Sequence, residues 1–158
     1  MTMDDVAKAC GMSRPALYLQ FKNKGEIFSA MASDMMGQAL DNARAALNGS
    51  GTMEQRLFAA IKAGILDPTE FLYSTAHGAE LLDMKHQMAG DAIVEWYAKK
   101  AEMVAVALET SGIARAKGLS GRQLAAIALD SIEGLKQRTK TAEERSDGAR
   151  ALVKLIAG

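Results

Sequence analysis

Ile93, Trp96, Tyr97, Ala101, Val104 and Leu108 recur at intervals of three and four, the spacing of one buried helical face. Two stretches nearer the carboxy terminus repeat the pattern: Leu124, Ile127, Ala128, Ser131 and Leu135, then Ala149, Leu152, Val153 and Ile156. Helix starts are marked by a capping residue followed three positions later by Asp, Glu or Gln, because the cap oxygen takes an orphan N–H of the first turn while the later side chain reaches back. Thr2 with Asp5, Asn23 with Glu26, Thr52 with Gln55, Asp67-Pro68 with Glu70, Ser120 with Gln123 and Thr141 with Glu144 fit that signature, and Ser13 ahead of Pro15 adds another start. Breaks fall at Gly11, 48–51, Gly78, Ser111-Gly112 and 118–121. The pattern predicts helices over Met3 to Cys10, Arg14 to Phe21, Lys24 toward Leu47, Met53 to Leu66, Pro68 to about His77, about Glu80 to Glu109, Gly121 to about Arg138, and Ala142 to Ala157.

Composition agrees with an all-α fold: 29 Ala, 16 Leu and 10 Met stand against 5 Val, 8 Ile and 7 Thr. A length of 158 residues suits one domain or a small module attached to a larger one. The longest apolar runs, Met103 to Leu108 and Leu124 to Leu129, are six residues each, far short of the ~20 that cross a bilayer. No secretory signal pattern opens the chain and Cys10 is the lone cysteine, so a reducing cytoplasm is the expected location. Lys and Arg total 19, as do Asp and Glu, so any nucleic-acid binding has to be local rather than a matter of bulk charge.

A local device for it stands at the amino terminus. Met3 to Cys10 and Arg14 to Phe21 are joined by Gly11-Met12-Ser13, whose glycine tolerates the positive φ of a sharp reversal, giving a helix-turn-helix. Ala7 is small where the helices cross, and Val6, Met12, Leu17 and Phe21 supply apolar contacts. In such a unit the second helix offers its leading end to the major groove, where Arg14 reaches a guanine edge and Ser13, Tyr18 and Lys24 bond phosphates. Spacing alone leaves open two short helices that bind nothing. The residues themselves go further: from Thr2 to Phe28, the pairs Val6-Ala7 and Cys10-Gly11, then Ser13, Tyr18 with Phe21, and Lys24, resemble without a gap the signature of the TetR/AcrR family of bacterial transcriptional regulators. The resemblance covers about the first 30 residues by motif and the remainder only by its helix count.

That resemblance implies an all-helical TetR-like homodimer with a DNA-reading head (1–47, including the connecting helix) and an effector-binding and dimerisation body (48–158). Thr2 is similar in position to the family's phosphate-binding cap. Ser13, Arg14, Pro15, Ala16 and Leu19 fall at groove-facing positions, Tyr18 at a phosphate position and Lys24 at a backbone contact, while Phe21 is structural. Pro15 and Ala16 offer no side-chain hydrogen bond, so readout would rest on Arg14 and on apolar contact with thymine methyls. The family also places a helix of about 15 to 20 residues ahead of Thr2, packed across this unit. Here the chain starts at Met1, so Val6, Ala9, Leu17 and Phe21 are expected to lack that cover. A start assigned too late, a trimmed chain and a natural variant that has lost DNA binding are the three origins open at this point.

In the body, the effector chamber is expected between helices, lined by Phe58, Ile61, Ile65, Phe71, Leu72, Met84, Met88, Trp96 and Met103, with Tyr73, Thr75, His77 and His86 as polar candidates. His77, Glu80, Asp83 and His86 have metal-ligand chemistry, but Gly78 interrupts their spacing, so they read as a solvated helix junction and no metal or cofactor is expected. No nucleophile-base arrangement or phosphate loop is evident, and an enzyme is not expected. Leu124, Ile127, Ala128, Ser131, Leu135, Ala149, Leu152, Val153 and Ile156 are expected to pair across a twofold axis as a four-helix interface. Their alternative is a hairpin docked on the chain's own body. Lys136, Arg138, Lys140, Glu143, Glu144 and Arg145 read as solvated turn charges. The expected function is a ligand-responsive repressor binding a near-palindromic operator, the rival being an effector-binding helical dimer without DNA binding.

Overall fold

The computed structural model describes residues 2–75, 78 and 91–158, and all the regular structure among them is helical. The elements are α1 (Met3–Ala9), α2 (Arg14–Gln20), α3 (Lys24–Leu47), α4 (Met53–Ile61), a π-helical stretch (Lys62–Leu66), α5 (Asp67–Ser74), α6 (Asp91–Thr110), α7 (Ile113–Ala116), α8 (Gly121–Arg138) and α9 (Ala142–Ala157). Reciprocal capping boxes open α1, α4, α8 and α9 at Thr2, Thr52, Ser120 and Thr141. Ser13 and Asn23 each cap with one bond, from the N–H groups of Ala16 and Glu26. The short α7 carries no capping bond, and no capping pattern in the sequence announces it.

One expected start is absent. Asp67 does not cap a new helix, because its φ of −59° and ψ of −46° keep it helical and its N–H donates to the carbonyl of Lys62, five residues back. Pro68 explains the widened turn: it has no N–H, and its ring would strike the carbonyl four residues earlier in a regular α-helix. The Asp67 carboxylate instead meets Lys62 Nζ at 2.6 Å. Within the same stretch Gly64 lies against α3, where an added Cβ would stand 2.8 Å from Ala43 Cβ and 3.2 Å from Ala39 O. The wide turn and the missing side chain together let α3 and the α4–α5 rod run close.

The core sits where α4, α6, α8 and α9 converge, with Leu57, Leu108, Ile132 and Val153 at its centre and Ala43 and Leu47 of α3 at its edge. Small residues permit the approach of α6 to α8: Ala105, Ala125 and Ala128 are buried, and Gly121 leaves no room for a Cβ beside the Ala105 carbonyl. Arg56 Nη1 ties α4 to the end of α3 through the Leu47 carbonyl at 2.9 Å.

Candidate functional site

At the head, Gly11 takes φ +64°, and Met12 N–H reaches back to the Ala7 carbonyl, so the chain reverses over the three expected residues. Ala7 and Leu17 are buried at the crossing, while Val6, Met12 and Phe21 are half-buried. Leu17 is thus covered by the unit itself, contrary to the expectation of an open face there; Ala9 is exposed. The face of α2 turned away from this contact carries Ser13, Arg14, Pro15, Tyr18 and Leu19, all exposed, with Ala16 half-buried. Leu19 is 88% exposed, an apolar side chain held in water on the leading helix. Ser13 Oγ accepts the Ala16 N–H at 3.3 Å and keeps its own proton for an acceptor outside. Lys24 opens α3 with its ammonium 5.2 Å from the Phe28 ring centroid. Thr2 is more committed than expected: its N–H and its hydroxyl both donate to Asp5 Oδ2, at 2.7 and 2.8 Å. Those bonds hold the Asp5 carboxyl below the usual range. Lys8, Arg14, Lys22 and Lys24 stand against Asp4, Asp5 and Glu26 in this segment, so its excess of positive charge is small.

Behind the head, a cavity of about 350 Å³ lies between α3, the π stretch, α5, α6 and α8. Of the expected effector residues it includes Ile65, Leu72 and Trp96. Ile61 and Met103 instead pack in an adjoining seam that is nearly filled. Phe58 sits beneath the Arg150 guanidinium, 4.1 Å from ring centroid to Cζ, where α9 covers α4. Phe71 and Tyr73 are more than half exposed on the outer side of α5. These three are therefore not chamber residues, because α5 turns Pro68 and Thr69 inward together with the expected Leu72. Met84 and Met88 lie outside the described residues, as do His77, Glu80, Asp83 and His86.

The chamber wall contains groups that the expected effector set does not include, although periodicity places Tyr97 on a buried face. Ser29, Met35 and Met36 come from α3, Tyr97 and Lys100 from α6, and Lys136 from α8. Lys100 is only 6% exposed, its ammonium 4.0 Å from the Trp96 ring centroid and 4.5 Å from that of Tyr97, so cation–π attraction holds a charge inside the body. Trp96 Nε1 donates to the Met36 carbonyl at 2.9 Å, fixing α6 to α3 across the chamber. Burial first, and then the negative charge of Glu133, push the Tyr97 phenol up.

The carboxy-terminal pair departs from expectation in two ways. Leu124, Ala128, Ala149, Val153 and Ile156 are buried in the chain's own core and have no surface to offer a partner. The apolar stripe is used in docking the pair on α4 and α6; Ser131, Leu135 and Leu152 are half-buried, and Ile127 remains 49% exposed. Second, Arg145 is not a solvated turn charge. Its side chain is 5% exposed, Nε donates to Glu70 Oε1 at 2.6 Å, Nη1 donates to the Thr139 carbonyl at 3.1 Å, and Cζ lies 5.3 Å from the Tyr73 ring centroid. Lys136 is likewise shielded, with its ammonium 2.9 Å from Glu133. Two core-facing cations within a charged sequence run have no periodic signature. A spacing of 75 residues between Arg145 and Glu70 is invisible to local reading.

Among the described residues no cluster of His, Cys, Asp and Glu could hold a metal, and no helix is long and apolar enough to cross a membrane. Compared with curated proteins, the chain has no significant match. Residues 1–31 match the family of bacterial regulatory proteins, tetR family. Members of that family are regulators and generally not enzymes. The matched segment spans α1, α2, their turn and the first part of α3, and the described residues of the body behind it are all-α. The head of this chain is thus similar to the amino-terminal, DNA-binding segment of bacterial regulators of the tetR family.

Proposed function

We propose that the chain is a ligand-responsive repressor, acting in the cytoplasm as a homodimer that sets two α2 helices into successive major grooves of a near-palindromic operator. The observation that carries this reading is the sharing of α3 between two sites. Its first residue, Lys24, borders the recognition helix, and Ser29, Met35, Met36 and Ala39 further along it line the 350 Å³ chamber. At 24 residues α3 is a rod of about 36 Å whose chamber segment, 29–39, begins within two turns of the head, so a ligand that displaces that segment moves the head attached at its amino-terminal end. Heads on a dimer must match a groove spacing of about 34 to 36 Å or its multiples, and a small rotation loses that match. An effector that releases DNA must bind the mismatched state more tightly, since equal affinity for both shifts nothing.

In this reading Arg14 reads a guanine edge, Leu19, Pro15 and Ala16 meet thymine methyls, and Ser13, Tyr18 and Lys24 bond phosphates. Thr2 contributes by capping α1. Residues 1–47 act as the head with its connecting rod and 48–158 as the effector-binding and dimerising body. The partner surface is the outer face of α8 and α9, where Ile127 and Leu155 are exposed and Ser131, Leu135 and Leu152 are half-buried. The test begins with a duplex selected from a random library by the protein. Arg14→Ala should then lower preference for that duplex over a scrambled one. Lys24→Ala should weaken both alike and reduce the slope of log affinity against log salt by about 1. Equal preference and equal salt slope in all three proteins would remove those roles.

A further inference from the structure

Arg14 opens α2, yet its guanidinium is met by the helix before it. Nη1 donates to Asp4 Oδ2 at 3.2 Å, and Nε lies 3.1 Å from Oδ1. On its own helix the same guanidinium lies over the Tyr18 ring, 5.7 Å from the centroid. A carboxylate from α1 and a ring from the next turn of α2 therefore fix both the edge and the plane of one flat group. Arginine carries five N–H donors in a rigid fork, and Asp4 accepts one of them, from Nη1, with its second oxygen close to Nε, so the rest of the fork is available to a base edge.

The side chains of Arg14 and Asp4 are 65% and 49% exposed, and a pair so wet adds little to stability. Its consequence is orientation. A free arginine samples many rotamers and can settle on any nearby phosphate, whereas a held fork reaches a base edge with less ordering left to do. The carboxylate also repels phosphates that approach the same place, which disfavours contacts carrying no sequence information.

We infer that Asp4 is the positioning residue for Arg14, presenting its guanidinium for base reading and so setting the sequence discrimination of the head. The inference rests on the reading in which Arg14 meets a base. It predicts an unusual pair of effects from one neutralising change: tighter binding to DNA in general together with poorer choice among sequences.

The test measures affinity by fluorescence anisotropy for the selected duplex and a scrambled duplex, over a range of salt. The proteins are the wild type, Asp4→Asn, Asp4→Glu, Arg14→Ala and the Asp4→Asn/Arg14→Ala double variant, each checked for an unchanged helical spectrum. Asp4→Asn should bind the scrambled duplex more tightly and lose about 5-fold or more in preference, within the 5- to 150-fold that one good base contact commands. Asp4→Glu, with its charge kept but its reach altered, should fall between. In the Arg14→Ala background the neutralisation should leave preference unchanged. If Arg14→Ala lowers preference and Asp4→Asn does not, or if Asp4→Asn acts equally with and without Arg14, the positioning role is overturned while Arg14 keeps its own. If Arg14→Ala itself leaves preference unchanged, both fall together.

Discussion

Arg145→Met removes a guanidinium that joins α9 to α5, and the geometry sets what it should cost. Breaking a buried pair by deleting one partner costs about 3 to 5 kcal/mol when the other charge is stranded. Glu70 is one third exposed and regains some water, which pulls the value down, while the Thr139 carbonyl loses a donor and methionine restores part of the packing. The balance comes to about 2 to 4 kcal/mol. Urea unfolding at fixed protein concentration, with the slope unchanged, should show that loss as an earlier midpoint. A cycle with Glu70→Gln should return a coupling of about 1 to 3 kcal/mol. Arg145→Lys should recover little, since a single ammonium cannot serve Glu70 and Thr139 in the same fork. The Glu70 hydrogen bond, working against burial, raises the affinity of Arg145 for its proton. A raised value stabilises the fold at every pH below the ordinary guanidinium range, so this contact should show no loss on the basic side of neutrality. A variant within about 0.5 kcal/mol of wild type, additive with Glu70→Gln, would show that the pair is only a surface ornament.

Other expectations follow from single positions. Gly64→Ala should destabilise, because the about 1 kcal/mol of better helix propensity is outweighed by overpacking of about 1 to 3 kcal/mol against Ala43 and the Ala39 carbonyl. A raised melting temperature would contradict that close approach. Ile127→Glu should shift the sedimentation of the protein toward the monomer with its helical content intact; unchanged sedimentation of a dimer would place the interface elsewhere. Asp5 and Glu144 close capping boxes, and their hydrogen bonds lower both carboxyl pKa values. Their contribution is full above the ordinary carboxylate range and fades as pH falls through the depressed values, so amide protection at the starts of α1 and α9 should drop below about pH 4. The starts of α4 and α8, closed by Gln55 and Gln123, should hold there. A parallel drop in all four would assign the loss to general unfolding.

Much of the helical architecture is written in local signals. Thr2, Thr52, Ser120 and Thr141 stand at helix starts because a cap and its reciprocal acid or amide are three residues apart, a distance a sequence displays openly. The same reasoning failed at Asp67, where the cap chemistry is present but Pro68 can be accommodated by a widened turn and the helix runs on. Apolar periodicity located the buried face of α9 but could not say what buries it: Ala149 and Val153 serve the chain's own core as readily as a partner's. The helix-turn-helix of the head was legible because it consists of a short turn between two capped helices, both local features. The chamber was less so. Lys100, Lys136 and Arg145 look like surface charges in sequence, and only packing between distant helices puts them inside or nearly so.

Amide hydrogen exchange of the protein with and without its selected duplex tests the DNA-reading head most directly. New protection concentrated at 13–19 and at the first turn of α3 is the predicted result, with side chains of Arg14 and Lys24 at its centre. Protection confined to α8 and α9, with the α2 edge exchanging as it does in the free protein, would contradict the account.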